Sequence, residues 1–136
     1  MLGLVDGEGD RTTSRGFRLL IVEDDPNSRW ALCALMSRMG YDCRVASNGK
    51  EALETVADFG PQVILMDLGL PVLDGLEATR RLKSDARTRD IPVLAVTGND
   101  TADDLGDARR AGFDDFLTKP IIFHKLLDSL NRQLRA

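Results

Sequence analysis

The chain has 136 residues, a net charge of −4 and a pI near 5.0, which suits one domain built around a single hydrophobic core. Its 43% hydrophobic and 29% charged residues place it among globular proteins, and the missing basic excess excludes the footprint of a nucleic-acid or anionic-membrane binder. Cys33 and Cys43 lack the spacing of a zinc pair and are too few for a disulfide scaffold. They read as buried or half-buried thiols of a reducing compartment, with a redox role as the alternative.

No apolar run approaches the ~18 residues of a membrane span, and the first sixteen residues lack the apolar stretch and cleavage site of a signal peptide. Residues 1–16, rich in Gly, charge and Ser/Thr, read as a flexible tail before a domain over 17–136. The expected location is cytoplasmic.

In chain order, the first strand is "FRLLIV" at 17–22. Asp25 then caps a helix with Pro26 in its first turn, and Leu32, Leu35, Met36 and Met39 form its inward face before Gly40. Trp30 lies roughly opposite that face and is expected in solvent. A second strand at 43–46 leads to a helix opened by Asn48, with Ala52, Leu53, Val56 and Ala57 inward and Gly60-Pro61 beyond it. The third strand, 62–66, precedes a helix over about 75–84 with Leu76, Thr79 and Leu82 inward. A fourth strand at 92–96 and a helix over about 101–111 follow, the latter resting on Leu105, Ala108 and Ala111. The chain closes with a strand at 115–118 and a helix over about 121–135, striped by Phe123, Leu126, Leu127, Leu130 and Leu134. Strict alternation of this kind predicts a (βα)₅ doubly wound α/β fold: a parallel sheet with right-handed crossovers and helices on both faces.

Ligands of such folds sit beyond the carboxyl ends of the strands. There the sequence places Glu23, Asp24 and Asp25 after the first strand, Asp67 after the third, Thr97 after the fourth and Lys119 after the fifth. Carboxylates gathered at one place repel unless a cation intervenes, and Mg²⁺, with Mn²⁺ as an alternative, prefers such oxygen ligands. Asp67 then becomes a nucleophile poised to accept a phosphoryl group, with Lys119 and the Thr97 hydroxyl to meet the phosphoryl oxygens. Asp25 reads as a helix cap only, and His124 as a surface or half-buried residue.

The motifs "LLIVEDDP", "ILMDLGLPVLDG", "AVTG" and "FLTKP", in this order, resemble the receiver domain of two-component response regulators from about Arg18 to the C-terminus. The resemblance implies a five-stranded sheet of order 2-1-3-4-5. It makes Asp67 the phosphoacceptor, Glu23 and Asp24 the acidic pair for Mg²⁺, and Gly69 the donor of a backbone carbonyl to the metal. Thr97 becomes the switch hydroxyl and Lys119 the phosphate-binding lysine, in a Lys119-Pro120 bond that the family usually holds cis. The implied phosphodonor is a histidine kinase or histidine phosphotransfer protein, and output runs through protein contact or phosphate relay.

Three departures refine the expectation. Phe116 stands where the family often has a switch tyrosine, so a switch driven by packing is expected. Gly69 has no side chain to steer water and Asn99 is uncharged, so the phosphorylated state is expected to persist for minutes. No DNA-binding segment follows the last helix, which points to a stand-alone receiver, either monomeric or dimerising when phosphorylated; a receiver cut from a hybrid kinase is the variant. Trp30, near the acidic cluster, is a candidate partner-docking residue. Two other readings stay open: a Mg²⁺-dependent aspartyl-phosphate phosphatase of the dehalogenase type, and a binding module that works without phosphorylation.

Overall fold

The computed structural model describes residues 16–98 and 102–135; the expected tail over 1–16 (save Gly16) and Asn99 fall outside them. Five strands alternate with five helices: β1 (Arg18–Val22), α1 (Pro26–Arg38), β2 (Asp42–Ala46), α2 (Gly49–Phe59), β3 (Val63–Asp67), α3 (Gly75–Ser84), β4 (Val93–Thr97), α4 (Ala102–Ala111), β5 (Asp115–Thr118) and α5 (Phe123–Arg135). All strand pairs are parallel and the order is β2-β1-β3-β4-β5. The doubly wound α/β architecture and its strand order are those expected.

The period-2 alternation of the strands divides the core into two layers. Leu20, Val22, Ala46, Ile64, Met66, Val93 and Ala95 face one layer with residues of α2, α3 and α4. Leu19, Ile21, Val63, Leu65, Leu94, Val96 and Leu117 face the other, with Met36 of α1 and Leu126 and Leu130 of α5. Strands β3 and β4 are buried along their whole length, which explains why they read as continuous apolar runs.

Side-chain oxygens set the helix starts. Asp25, Asn48 and Asp74 accept from the backbone N–H groups of Ser28, Glu51 and Glu77 at 2.8 Å each, satisfying donors that the first helical turn leaves unpaired. Two expected faces need correction. In α1 the inward stripe is buried Met36 with half-buried Leu32 and Cys33, whereas Leu35 and Met39 are exposed. The helix is rotated toward Cys33 to lie over β1 and β2, and Met39 is already the cap beyond its last turn. In α2 Ala57 is exposed and Phe59, unexpected from the sequence, is buried instead. The last helix begins at Phe123, two residues after the expected start. Trp30 is 57% exposed, as its position on the helical wheel required.

Candidate functional site

The register of the sheet brings the polar strand ends together. Val22 pairs with Met66, so Glu23 and Asp67, the residues that follow, come level at the same rim. Asp67 pairs with Val96 and Thr97 with Thr118, which puts Thr97 and then Lys119 one residue further along the neighbouring strands. Asp67, Glu23 and Thr97 are each 5–6% exposed, whereas Asp24 is open to solvent.

Lys119 binds the acids together. Its Nζ donates to Asp67 Oδ2 at 2.8 Å and lies 3.4 Å from Glu23 Oε1. The other oxygen of Asp67 accepts from the Gly69 N–H at 3.0 Å, so both carboxylate oxygens have fixed directions. Glu23 Oε2 accepts from the Asp25 N–H at 3.1 Å. Burial acts against the Lys119 ammonium, but the bond and charge of Asp67, with Glu23 behind it, raise its pKa above the ordinary lysine value. Burial, reinforced by the Asp67 charge, raises the Glu23 carboxyl above the usual carboxylate range despite the Asp25 N–H.

Among the described residues, Glu23, Asp24 and Asp67 each offer one carboxylate oxygen, all within 4.8 Å of one another. Three hard oxygen donors without nitrogen or sulfur suit Mg²⁺ better than zinc or copper. An open cleft of about 410 Å³ lies over Asp24 and Asp67, lined also by Gly69, Thr97, Lys119, Leu76 and Asp107. It is large enough for a phosphoryl group and its surrounding water. The Lys119-Pro120 peptide bond is cis.

Two supports escaped the sequence reading. Arg29 donates to the backbone carbonyls of Glu23 (3.0 Å) and Asp24 (3.3 Å), pinning the β1–α1 loop that carries the acids. Its position four residues after the Asp25 cap was the available signal. Gly75 is the second: a Cβ there would stand 2.2 Å from the Asp67 carbonyl oxygen, so only glycine lets α3 close on the backbone of that residue. Elsewhere, Phe116 is half-buried against the α2–α4 layer with the Arg109 guanidinium 5.6 Å from its ring centroid. Trp30 is not among the residues lining the cleft over Asp67, and His124 is exposed.

Comparison with known proteins decides the family. The model of the response regulator receiver domain matches residues 19–131. The chain belongs to the response regulator receiver family. Among curated relatives, this receiver is 38% identical to the protein PilH of Pseudomonas aeruginosa over 117 residues, covering 86% of the chain and 97% of PilH. It is 36% identical to the response regulator MprA of Mycolicibacterium vanbaalenii over 118 residues, 87% of the chain, and spans about half of that longer protein (50%). Among solved structures, it superimposes with a TM-score of 0.83 and 32% identity on the receiver domain of the sensor histidine kinase PA1611 from Pseudomonas aeruginosa, over 89% of the chain and 99% of that domain. That crystal structure has a magnesium ion coordinated in its active-site cleft. Membership sets aside the dehalogenase-type phosphatase. Receivers belong to two-component signalling, where they interact with histidine kinases or phosphotransfer proteins and are not as a rule turnover enzymes. None of the described helices is long and apolar enough to cross a membrane.

Proposed function

We propose that this receiver accepts a phosphoryl group on Asp67 from a histidine kinase or histidine phosphotransfer protein in a Mg²⁺-dependent reaction. It signals as a stand-alone cytoplasmic domain, by protein contact or by passing the phosphoryl group on. The observation that carries the reading is the meeting of Asp67 with Lys119 Nζ at 2.8 Å, inside an acidic trio spanning 4.8 Å at the sheet's carboxyl rim. Glu23, Asp24 and Asp67 would hold the Mg²⁺ (or Mn²⁺), with the Gly69 carbonyl contributing. When bound, the ion neutralises charge on the phosphoryl oxygens during transfer.

The chain's own residues do the rest. An Asp67 oxygen attacks phosphorus and the imidazole of the donor histidine leaves, forming an acyl phosphate. Its bonds to the Gly69 N–H and to Lys119 keep Asp67 oriented toward the open cleft. Lys119 then transfers its attraction from the carboxylate to a phosphoryl oxygen, and the Thr97 hydroxyl donates to another. Movement of Thr97 toward the phosphoryl group frees room for Phe116 to repack, which biases a two-state equilibrium without a phenolic hydroxyl. Dimerisation, if phosphorylation drives it, follows from that same shift.

Intact-mass spectrometry after incubation with acetyl phosphate and Mg²⁺ tests the reading, beside Asp67→Asn and EDTA controls. One phosphoryl adduct dependent on both Asp67 and the metal is expected. If neither an adduct nor beryllofluoride binding is seen, the domain is a constitutive binding module instead. Trp30, exposed on α1, is assigned to docking of the protein donor. Trp30→Ala should slow transfer from the cognate donor by about tenfold, equivalent to about 1.4 kcal/mol, and leave acetyl phosphate labelling unchanged. Equal rates from the cognate donor would remove the docking role.

A further inference from the structure

Cys33 and Cys43, the two cysteines of the sequence, take no part in the chemistry above. Cys33 lies on the inward, half-buried side of α1 and Cys43 on the edge strand β2, ten residues later in the chain. Helix α1 packs directly on β2. Cys43 and Val45, alternate residues of that strand, turn toward the α1 side of the sheet, and both cysteines pack against the same apolar cluster around Met36 and Tyr41. Both are free thiols and half-buried, neither sealed in the core nor fully in solvent. Cys33 and Ser37, one turn apart on α1, both bear on the protonation of the Cys43 thiol.

We propose that Cys33 and Cys43 form a redox-responsive pair that closes into an intramolecular disulfide on exposure to a hydroperoxide, tying α1 to the sheet edge. The steps balance with a hydroperoxide, ROOH, as the oxidant. One thiolate attacks the terminal peroxide oxygen, giving a sulfenic acid and ROH. The second thiol then attacks that sulfur, forming the S–S bond and releasing water. Two thiols and one ROOH thus give one disulfide, one ROH and one H₂O.

The environment assigns the order. Burial first, then the neighbouring Cys33, push the Cys43 thiol up to about 11 against the help of Ser37, so at neutral pH it stays protonated and reacts slowly. Cys33 is therefore the first to be oxidised and Cys43 the resolving thiol. In a reducing compartment such a bond is transient and signalling in kind rather than structural.

The test exposes the full-length reduced protein to hydrogen peroxide, alkylates remaining thiols with iodoacetamide, and reads intact mass and tryptic peptides. The expected product is a monomer lighter by two hydrogens, unalkylated, with peptide 30–38 linked to peptide 39–44 and fully restored by dithiothreitol. Cys43→Ser should accumulate a dimedone-trappable sulfenic acid at Cys33, while Cys33→Ser should leave Cys43 unmodified under the same exposure. Disulfide-linked dimers, oxygen adducts on separate thiols without a cross-link, or two thiols that remain alkylated would each overturn the proposal.

Discussion

Val72, in the loop between β3 and α3, is a β-branched residue held at a φ of +68° and 79% exposed. Left-handed backbone is costly for such a side chain, and no buried contact compensates it. Val72→Gly should therefore stabilise the protein by about 1 kcal/mol, read as a higher urea midpoint with an unchanged denaturant slope. Glu23 illustrates the opposite balance, where its proposed metal-binding role opposes stability. Its folded pKa is raised, chiefly by burial, so its ionised form costs stability as pH rises above the ordinary value of 4.5. Glu23→Gln keeps an oxygen for the Asp25 N–H and removes that charge. The variant should melt a few degrees higher at neutral pH. Its Mg²⁺ affinity, followed by intrinsic Trp30 fluorescence or calorimetry, should fall by at least about tenfold. A variant no more stable than the parent would show that Lys119 already offsets the repulsion.

Elements are joined here by a few polar contacts as well as by the core. Asp115, at the start of β5, accepts from Ser129 Oγ at 2.5 Å and from Arg132 at 2.6 Å, both on α5, and from the Phe116 N–H at 2.8 Å. Burial works against its carboxylate, but these donors together lower its pKa below the ordinary 3.8. A depressed carboxyl contributes stability that is fully present above the unfolded value and is lost as pH falls through the folded one. Thermal melts between pH 5 and 2.5 should show this loss, and Asp115→Asn should flatten the dependence in that window. An unchanged slope would mean that other carboxylates dominate acid unfolding. Ser129 itself has no exposed surface. Its burial was not legible in the sequence, because a serine inside the apolar stripe of α5 gains its partner only when β5 packs alongside. The α1 face failed for a related reason: Leu35 and Met39 fit the helical period, but packing against β1 and β2 selected Cys33 instead.

For the whole molecule, the central prediction concerns time. A Cβ at Gly69 would meet only Asp67 Oδ1, at 3.9 Å, so no side chain at that position stands over the proposed acceptor to direct water onto it. The acyl phosphate on Asp67 should therefore decay with a half-life of minutes in the purified protein with Mg²⁺, followed by mass spectrometry. Decay within seconds would refute the proposed lifetime. Such persistence suits a domain whose output is an encounter with another protein, since the signal must outlast diffusion and docking.

Read alone, the sequence determined the parts: five apolar runs, the caps Asp25 and Asn48, and polar residues at the ends of four strands. Those features are local, set by backbone sterics, capping chemistry and the solubility of each face, so they are visible within a window of a few residues. Tertiary structure alone decided which strand ends are neighbours, and therefore that Lys119 reaches Asp67 across 52 residues of chain. It also decided that Gly75 must lack a Cβ, and that Cys33 and Cys43 pack against one apolar cluster. The first depends on register between segments distant in the chain, where a shift of one residue would turn every side chain to the other face; the others depend on how closely each helix packs on its neighbouring strand.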